Sequence, residues 1–252
     1  MIKSIDRITY VTECFKEAEN TFSKFFNEEP LLRIKEEKSN NESLIYRFDN
    51  MNFEILKSSD SSKGERLFGF SLIAEDLNKI SITIDYDETD KKEKIKDKYQ
   101  LIKSYDLQQS ENFKLSLNQY DESLPKYLSE KNIFALDHLV LTTNQSDFIV
   151  NLYEKELGIR LALDQFVEKW GGRMLFFRTG NATIEVIDNK VKGDDKFWGL
   201  AWKTKNIREK RKYLIDKGFN VSEVKEGRKK NTLVATVKFD QIKIPTLLVE
   251  HL

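Results

Sequence analysis

Leu136-Asp137-His138-Leu139-Val140-Leu141 opens the stretch that decides the fold. It is followed by a helical pattern ending Tyr153-Glu154-Lys155-Glu156-Leu157-Gly158, then by Gly171-Gly172-Arg173-Met174-Leu175-Phe176-Phe177-Arg178, and then by Thr183-Ile184-Glu185-Val186-Ile187. Apolar residues alternate or run on in the first, third and fourth pieces and recur at helical spacing in the second. The order is strand, helix, strand, strand, with a further strand expected near Ile159 to Leu163. Gly158 marks the end of the helix, because a left-handed residue commonly closes one.

Working outward, the same order recurs. Ile5-Asp6-Arg7-Ile8-Thr9-Tyr10 matches Leu136 to Leu141, and Phe53-Glu54-Ile55-Leu56 matches Ile184 to Ile187, both at a separation of 131 residues. Gly69 matches Gly199 at 130. Such constant offsets identify a tandem duplication, with halves of about 1–130 and 131–252. Each half reads as two βαβββ modules, expected to pair within their half. In the first, a helix over about Glu13 to Asn27 turns Phe15, Ala18, Phe22, Phe25 and Phe26 to one side. The second is degraded: Ile80 to Ile84 alternates like a strand where a helix belongs, Asp85 to Lys98 reads as a solvated loop or helix, and strands are expected at Phe113–Leu117 and Pro125–Leu128. The fourth has strands near Gly199–Thr204, Asn220–Val224, Leu233–Phe239 and Thr246–Glu250, with a helix over Ile207–Lys217 closed by Gly218.

Composition bounds the partners. Lys+Arg and Asp+Glu are equal at 42 each, so no net field points to nucleic acid or an anionic membrane. No apolar run approaches the roughly 20 residues that span a bilayer, and the start Met1-Ile2-Lys3-Ser4 predicts no signal peptide. One cysteine, Cys14, excludes an intrachain disulfide and suits a reducing cytoplasm. Beside Phe15, it is expected to pack in the core. No Ser-His-Asp, Cys-His, Walker or dinucleotide motif occurs, so no nucleotide cofactor is expected.

The βαβββ order, with Asp-His on the first strand, Leu-Gly closing the helix and Glu185 inside the last strand, resembles a module of the vicinal oxygen chelate superfamily of glyoxalases, extradiol dioxygenases and bleomycin or fosfomycin resistance proteins. The resemblance implies an α+β fold: two tandem glyoxalase-like domains, built from paired βαβββ modules whose mixed sheets curve into cups. It implies a divalent metal, Fe, Mn, Zn or Ni, held by ligands from the first and last strands. Carried onto this chain, those positions give His138, Glu185 and Glu250, with Gly199 where a ligand would stand in the fourth module. In the N-terminal half Arg7 replaces the histidine, a degenerate site. The implied function is a lyase, isomerase or dioxygenase in which the metal polarises a bidentate oxygen substrate, with Glu250 and Arg173 as catalytic groups. The alternative is a metal-free binding protein of the bleomycin-resistance kind. In either case an anionic or aromatic small molecule is expected against Trp170, Arg173, Phe177, Trp202 and Arg228, and a homodimer is compatible with the resemblance.

Overall fold

The computed structural model describes residues 1–36, 41–58, 64–89, 93–95, 99–110, 113–120, 133–168, 172–180, 182–188 and 195–252. Strands β1 (Ile2–Thr12), β2 (Leu32–Glu36), β3 (Asn41–Arg47), β4 (Asn52–Lys57), β5 (Arg66–Ala74), β6 (Tyr86–Thr89), β7 (Glu93–Ile95), β8 (Tyr99–Ser110) and β9 (Phe113–Tyr120) form one mixed sheet. Its order is β2-β3-β4-β1-β5-β9-β8-β6, with β7 also on β8. Strands β10 (Ile133–Thr143), β11 (Arg160–Val167), β12 (Gly172–Thr179), β13 (Ala182–Asp188), β14 (Lys196–Thr204), β15 (Asn220–Val221), β16 (Lys225–Glu226), β17 (Thr232–Lys238) and β18 (Thr246–His251) form a second. Its order, β11-β12-β13-β10-β14-β18-β17-β15 with β16 on β17, repeats the first strand for strand. The fold is α+β, two tandem domains of paired βαβββ modules, each with a curved mixed sheet.

Packing groups the chain differently from strand pairing. One compact unit contains Met1–Arg7, Phe68–Lys126 and His138–Trp198; the other contains Ile8–Leu67, Tyr127–Asp137 and Gly199–Leu252. One compact unit thus combines the second and third modules, and the other the first and fourth. In the first unit Phe70, Phe113 and Phe197 meet edge-on or tilted, and the Asp6 carboxylate is buried under donors from Ser71, Asn118 and Tyr120. Three donors allow a carboxylate to stay where water cannot reach it.

The second unit is built on helix α1 (Phe15–Phe26). Its five expected apolar positions are all buried, and Asn27, at φ 59°, ends it. Phe22, Phe25 and Phe26 reach Phe53, Phe239 and Trp202. Cys14, expected in the core, is exposed: the helix begins one residue later, so the thiol precedes the apolar face. Helix α3 (Ile207–Asp216) buries Ile207, Lys210 and Leu214, and Gly218 at φ 90° follows its end. Helix α2 (Ser146–Val150) continues as a π-helical turn, Asn151–Glu156, and reaches the expected Gly158 at φ 67°.

The second module departs from expectation. Only a 3-10 turn, Leu77–Lys79, stands where a helix belongs, and Ile80–Ile84 forms no strand. Part of the charged run, expected as a loop or helix, is strand instead: β6 pairs with β8, where Tyr86 stacks on Tyr105 at 4.4 Å and Glu88 reaches Lys103 at 2.6 Å. Cross-strand partners override a composition that favours solvent. The expected Phe113–Leu117 strand runs over Phe113–Tyr120; the Pro125–Leu128 expectation lies outside the described residues. Gly69 and Gly199 share one packing reason. A Cβ on Gly69 would lie 2.1 Å from the Lys114 carbonyl oxygen, and one on Gly199 would lie 2.6 Å from that of Pro245. Both glycines are therefore close-approach positions. Among the described residues no helix is long and apolar enough to cross a membrane.

Candidate functional site

Strand register assembles the site. His138 pairs with Thr183, Thr183 with Arg178, and Arg178 with Arg160, so these four form one row across β10, β13, β12 and β11. Val140, Glu185, Phe176 and Leu163 form the next row on the same face, because side chains alternate with period 2. A bulge between Leu161 and Leu163 keeps the two rows on one side of β11. The opposite face carries Leu175, Phe177, Ile184 and Val186 inward, with Phe177 edge-to-face on Tyr153 at 5.2 Å.

At the centre, His138 Nε2 lies 3.7 Å from Glu185 Oε2, and both side chains are partly buried. Phe176 is partly buried beside them and Leu163 is 45% exposed. Arg178 donates to Thr183 Oγ1 at 3.1 Å, as Arg47 in the N-terminal half donates to Asn52 Oδ1 at 2.9 Å, each across to its register partner. The two equivalent arginines therefore share one role, holding the neighbouring strand.

The other expected site residues lie elsewhere. Arg173 donates to both Asp164 oxygens, at 2.7 and 2.6 Å, and to Asp147 and Ser146 at the start of α2. Donating to these carboxylates pushes its pKa up further, and the same guanidinium holds the Asp164 carboxyl below its usual range. Arg173 pins a strand to a helix. Phe177 is fully buried on the helix side, and Trp202 is 1% exposed in the core. Arg228 is exposed in the turn before β17. Trp170 lies outside the described residues.

Glu250 also has structural work. It shares a face with fully buried Leu248, and its Oε2 accepts from Ile207 N at 2.8 Å, while Asn206 Oδ1 accepts from Glu209 N. The two side chains cap α3 where its first amides lack partners. His251, on the opposite face of β18, pairs with Asp137. Replacing Glu250 by alanine is expected to lower stability by about 1 kcal/mol and to leave ligand affinity unchanged. Urea unfolding beside a binding titration checks this; lost affinity at full stability would return Glu250 to the site.

Imidazole with carboxylate suits Fe, Mn, Zn or Ni. His138 and Glu185 offer two such donors, but the Glu250 carboxylate is engaged at α3, and no three His, Cys, Asp or Glu side chains among the described residues are grouped to hold a metal. The donor set does not fit the three-ligand site that the resemblance implied.

No protein-family model matches the chain, and no curated protein matches it in sequence. Solved structures do. A triple mutant of 4-hydroxymandelate synthase from Streptomyces coelicolor is 12% identical with a TM-score of 0.73, over 99% of this chain and 92% of its own. A 2,3-dioxygenase from Pseudomonas sp. KL28 is 8% identical with a TM-score of 0.72, over 98% and 91%. An Mn(II)-bound glyoxalase from Novosphingobium aromaticivorans is 12% identical with a TM-score of 0.65, over 100% and 83%. At these identities the likeness establishes the architecture: with both sheets in the same strand order, the chain shares the fold of these structures, which is the fold that the resemblance to the vicinal oxygen chelate superfamily implied.

Proposed function

We propose that the chain binds a small organic molecule on the face carrying His138 and Glu185, and that these two side chains are its polar anchor. The observation that supports this reading is the partly buried pair at 3.7 Å, set beside Phe176 and an exposed Leu163. A few polar groups converging beside apolar surface are what small-molecule sites use, the apolar part for affinity and the polar part for orientation. Glu185 Oε2 lies 3.7 Å from the imidazole, and an imidazole can exchange a hydrogen bond with a bound hydroxyl or carbonyl. Binding with no three-ligand metal cage follows from the donor set. A second reading, metal-dependent enzymatic chemistry, is favoured by the imidazole-carboxylate pairing and by a fold shared with an Mn(II)-bound glyoxalase.

The test is calorimetric titration of a panel of aromatic alcohols and acids, with and without chelator. Saturable binding is expected to survive the chelator and to weaken at least tenfold, about 1.4 kcal/mol, in His138→Ala and Glu185→Gln. Affinity unaltered by both substitutions would remove the anchor. Stoichiometric Fe(II), Mn(II), Zn(II) or Ni(II) after reconstitution, lost in His138→Ala, would favour the second reading.

A further inference from the structure

The row that contains His138 ends in two arginines. Arg178 and Arg160 are direct antiparallel partners on β12 and β11, both exposed, and no carboxylate among the described residues pairs with either. Side chains so placed have Cβ atoms about 5 Å apart, and like charges directly opposite destabilise a sheet. The other cations among the described residues of this module are offset. Arg173 lies between Asp164 and Asp147, and Lys155 meets Glu154. In the N-terminal half Arg47 occupies the position of Arg178, and β2 begins only at Leu32, so no arginine of that strand stands opposite it. Two arginines in direct register thus introduce repulsion on this face of the sheet. An oxyanion lying between the two guanidiniums would relieve it, since the planar fork matches carboxylate and phosphate oxygens.

We infer that Arg160 and Arg178 are the anion-recognising arm of the His138–Glu185 site, which takes an aromatic or aliphatic oxyanion, carboxylate or phosphate ester. The inference rests on the ligand reading of this face. The row sets the scale: Arg178 is two strands from His138, about 10 Å along the sheet. The apolar body of such a ligand would lie along Leu163 and Phe176, in the adjacent row. Arg178 is already held toward Thr183, so part of the cost of ordering its side chain is met before the ligand arrives.

The experiment measures binding of benzoate, phenyl phosphate and neutral benzyl alcohol to the full chain by calorimetry, with thermal melting alongside. Expected is at least a tenfold preference for one or both acids over the alcohol, weakened by added salt, and a rise in melting temperature with that acid. Benzoate against phenyl phosphate distinguishes a carboxylate from a phosphate site. The Arg160→Gln/Arg178→Gln double variant is expected to lose the acid preference while binding the alcohol as before; both positions are exposed, and removing their repulsion keeps the chain folded. Arg208→Gln, an exposed site on α3, is expected to leave the preference intact. His138→Gln separates the two readings: weakening acid and alcohol alike is the mark of the anchor, whereas no effect from His138→Gln with acid preference lost in the double variant keeps the arm and removes the anchor. A wild type with no acid preference, or a double variant that retains it, overturns the inference.

Discussion

Replacing Trp202 by alanine is expected to cost about 3–5 kcal/mol, the range for emptying a large aromatic site in a packed core. The residue is 1% exposed. Its ring lies 5.0 Å from Phe26, 4.9 Å from Phe48 and 5.9 Å from Phe53, so truncation removes edge-to-face and tilted contacts from three partners at once. Neighbours on strands and on α1 cannot collapse into the space without moving the backbone. Urea unfolding measures the loss. Ligand affinity, measured below the unfolding range, is expected to stay within twofold of wild type. A loss under 1 kcal/mol, or weakened binding at full stability, would restore Trp202 to the ligand-binding role that the sequence suggested.

Lys210→Met is expected to raise stability by about 1–3 kcal/mol at pH 7, because an apolar side chain of similar length replaces a buried ammonium. Lys210 is 2% exposed, and burial lowers its pKa to about 7. Its Nζ donates to the Phe25 carbonyl oxygen, in the last turn of α1, at 2.6 Å and lies 4.6 Å from the Tyr213 ring. Both contacts favour the charged form and offset part of the desolvation cost, and for that reason the gain is set below the full value of the shift. The sign follows from proton counts. Between pH about 7 and the unfolded value of about 10.4, the unfolded chain holds a proton that the folded chain has released, so stability rises with pH through that window. Below pH 7 both states are charged and the folded chain carries the whole penalty. The variant is expected to lose this slope, as chemical unfolding at several values between pH 7 and 10 would reveal. Parallel pH profiles for the two proteins would sink the assignment.

Much of the fold was legible in local pattern. The α1 stripe of Phe15, Ala18, Phe22, Phe25 and Phe26 is buried as its spacing requires, and the Gly158 and Gly218 stops fall at positive φ. Failures came where a neighbour outside the local pattern decided. Lys210 occupies a stripe position between Ile207 and Leu214, where helical periodicity asks for an apolar residue, and only a carbonyl from α1 makes its burial tolerable. Residues 86–89 are a strand because β8 offers them an edge, although their composition favours solvent.

The candidate site was half legible. His138 and Glu185 followed from the motif and do meet. Glu250 came from the resemblance as a last-strand position; it shares a face with buried Leu248, and its carboxylate supports the start of α3. Arg173 and Phe177 fall on the helix side of β12, whereas Phe176 and Arg178, one position off that alternation, fall on the other. Arg160, Leu163 and Phe176 were missed: which residues of β11 stand opposite which of β12 depends on the bulge at Ala162, and a bulge has no period.

The sequence by itself determined the strand and helix order of the first, third and fourth modules and helix stops such as Gly158 and Gly218, because each is written in spacing within a few residues; the polar pair at the centre came from the family resemblance. Only the tertiary structure decided which face each side chain occupies, which carboxylate is engaged by a helix amide, and that two arginines stand opposed beside His138. Those outcomes depend on strand register and on the partner brought by packing, which are relations between distant segments that no local period encodes.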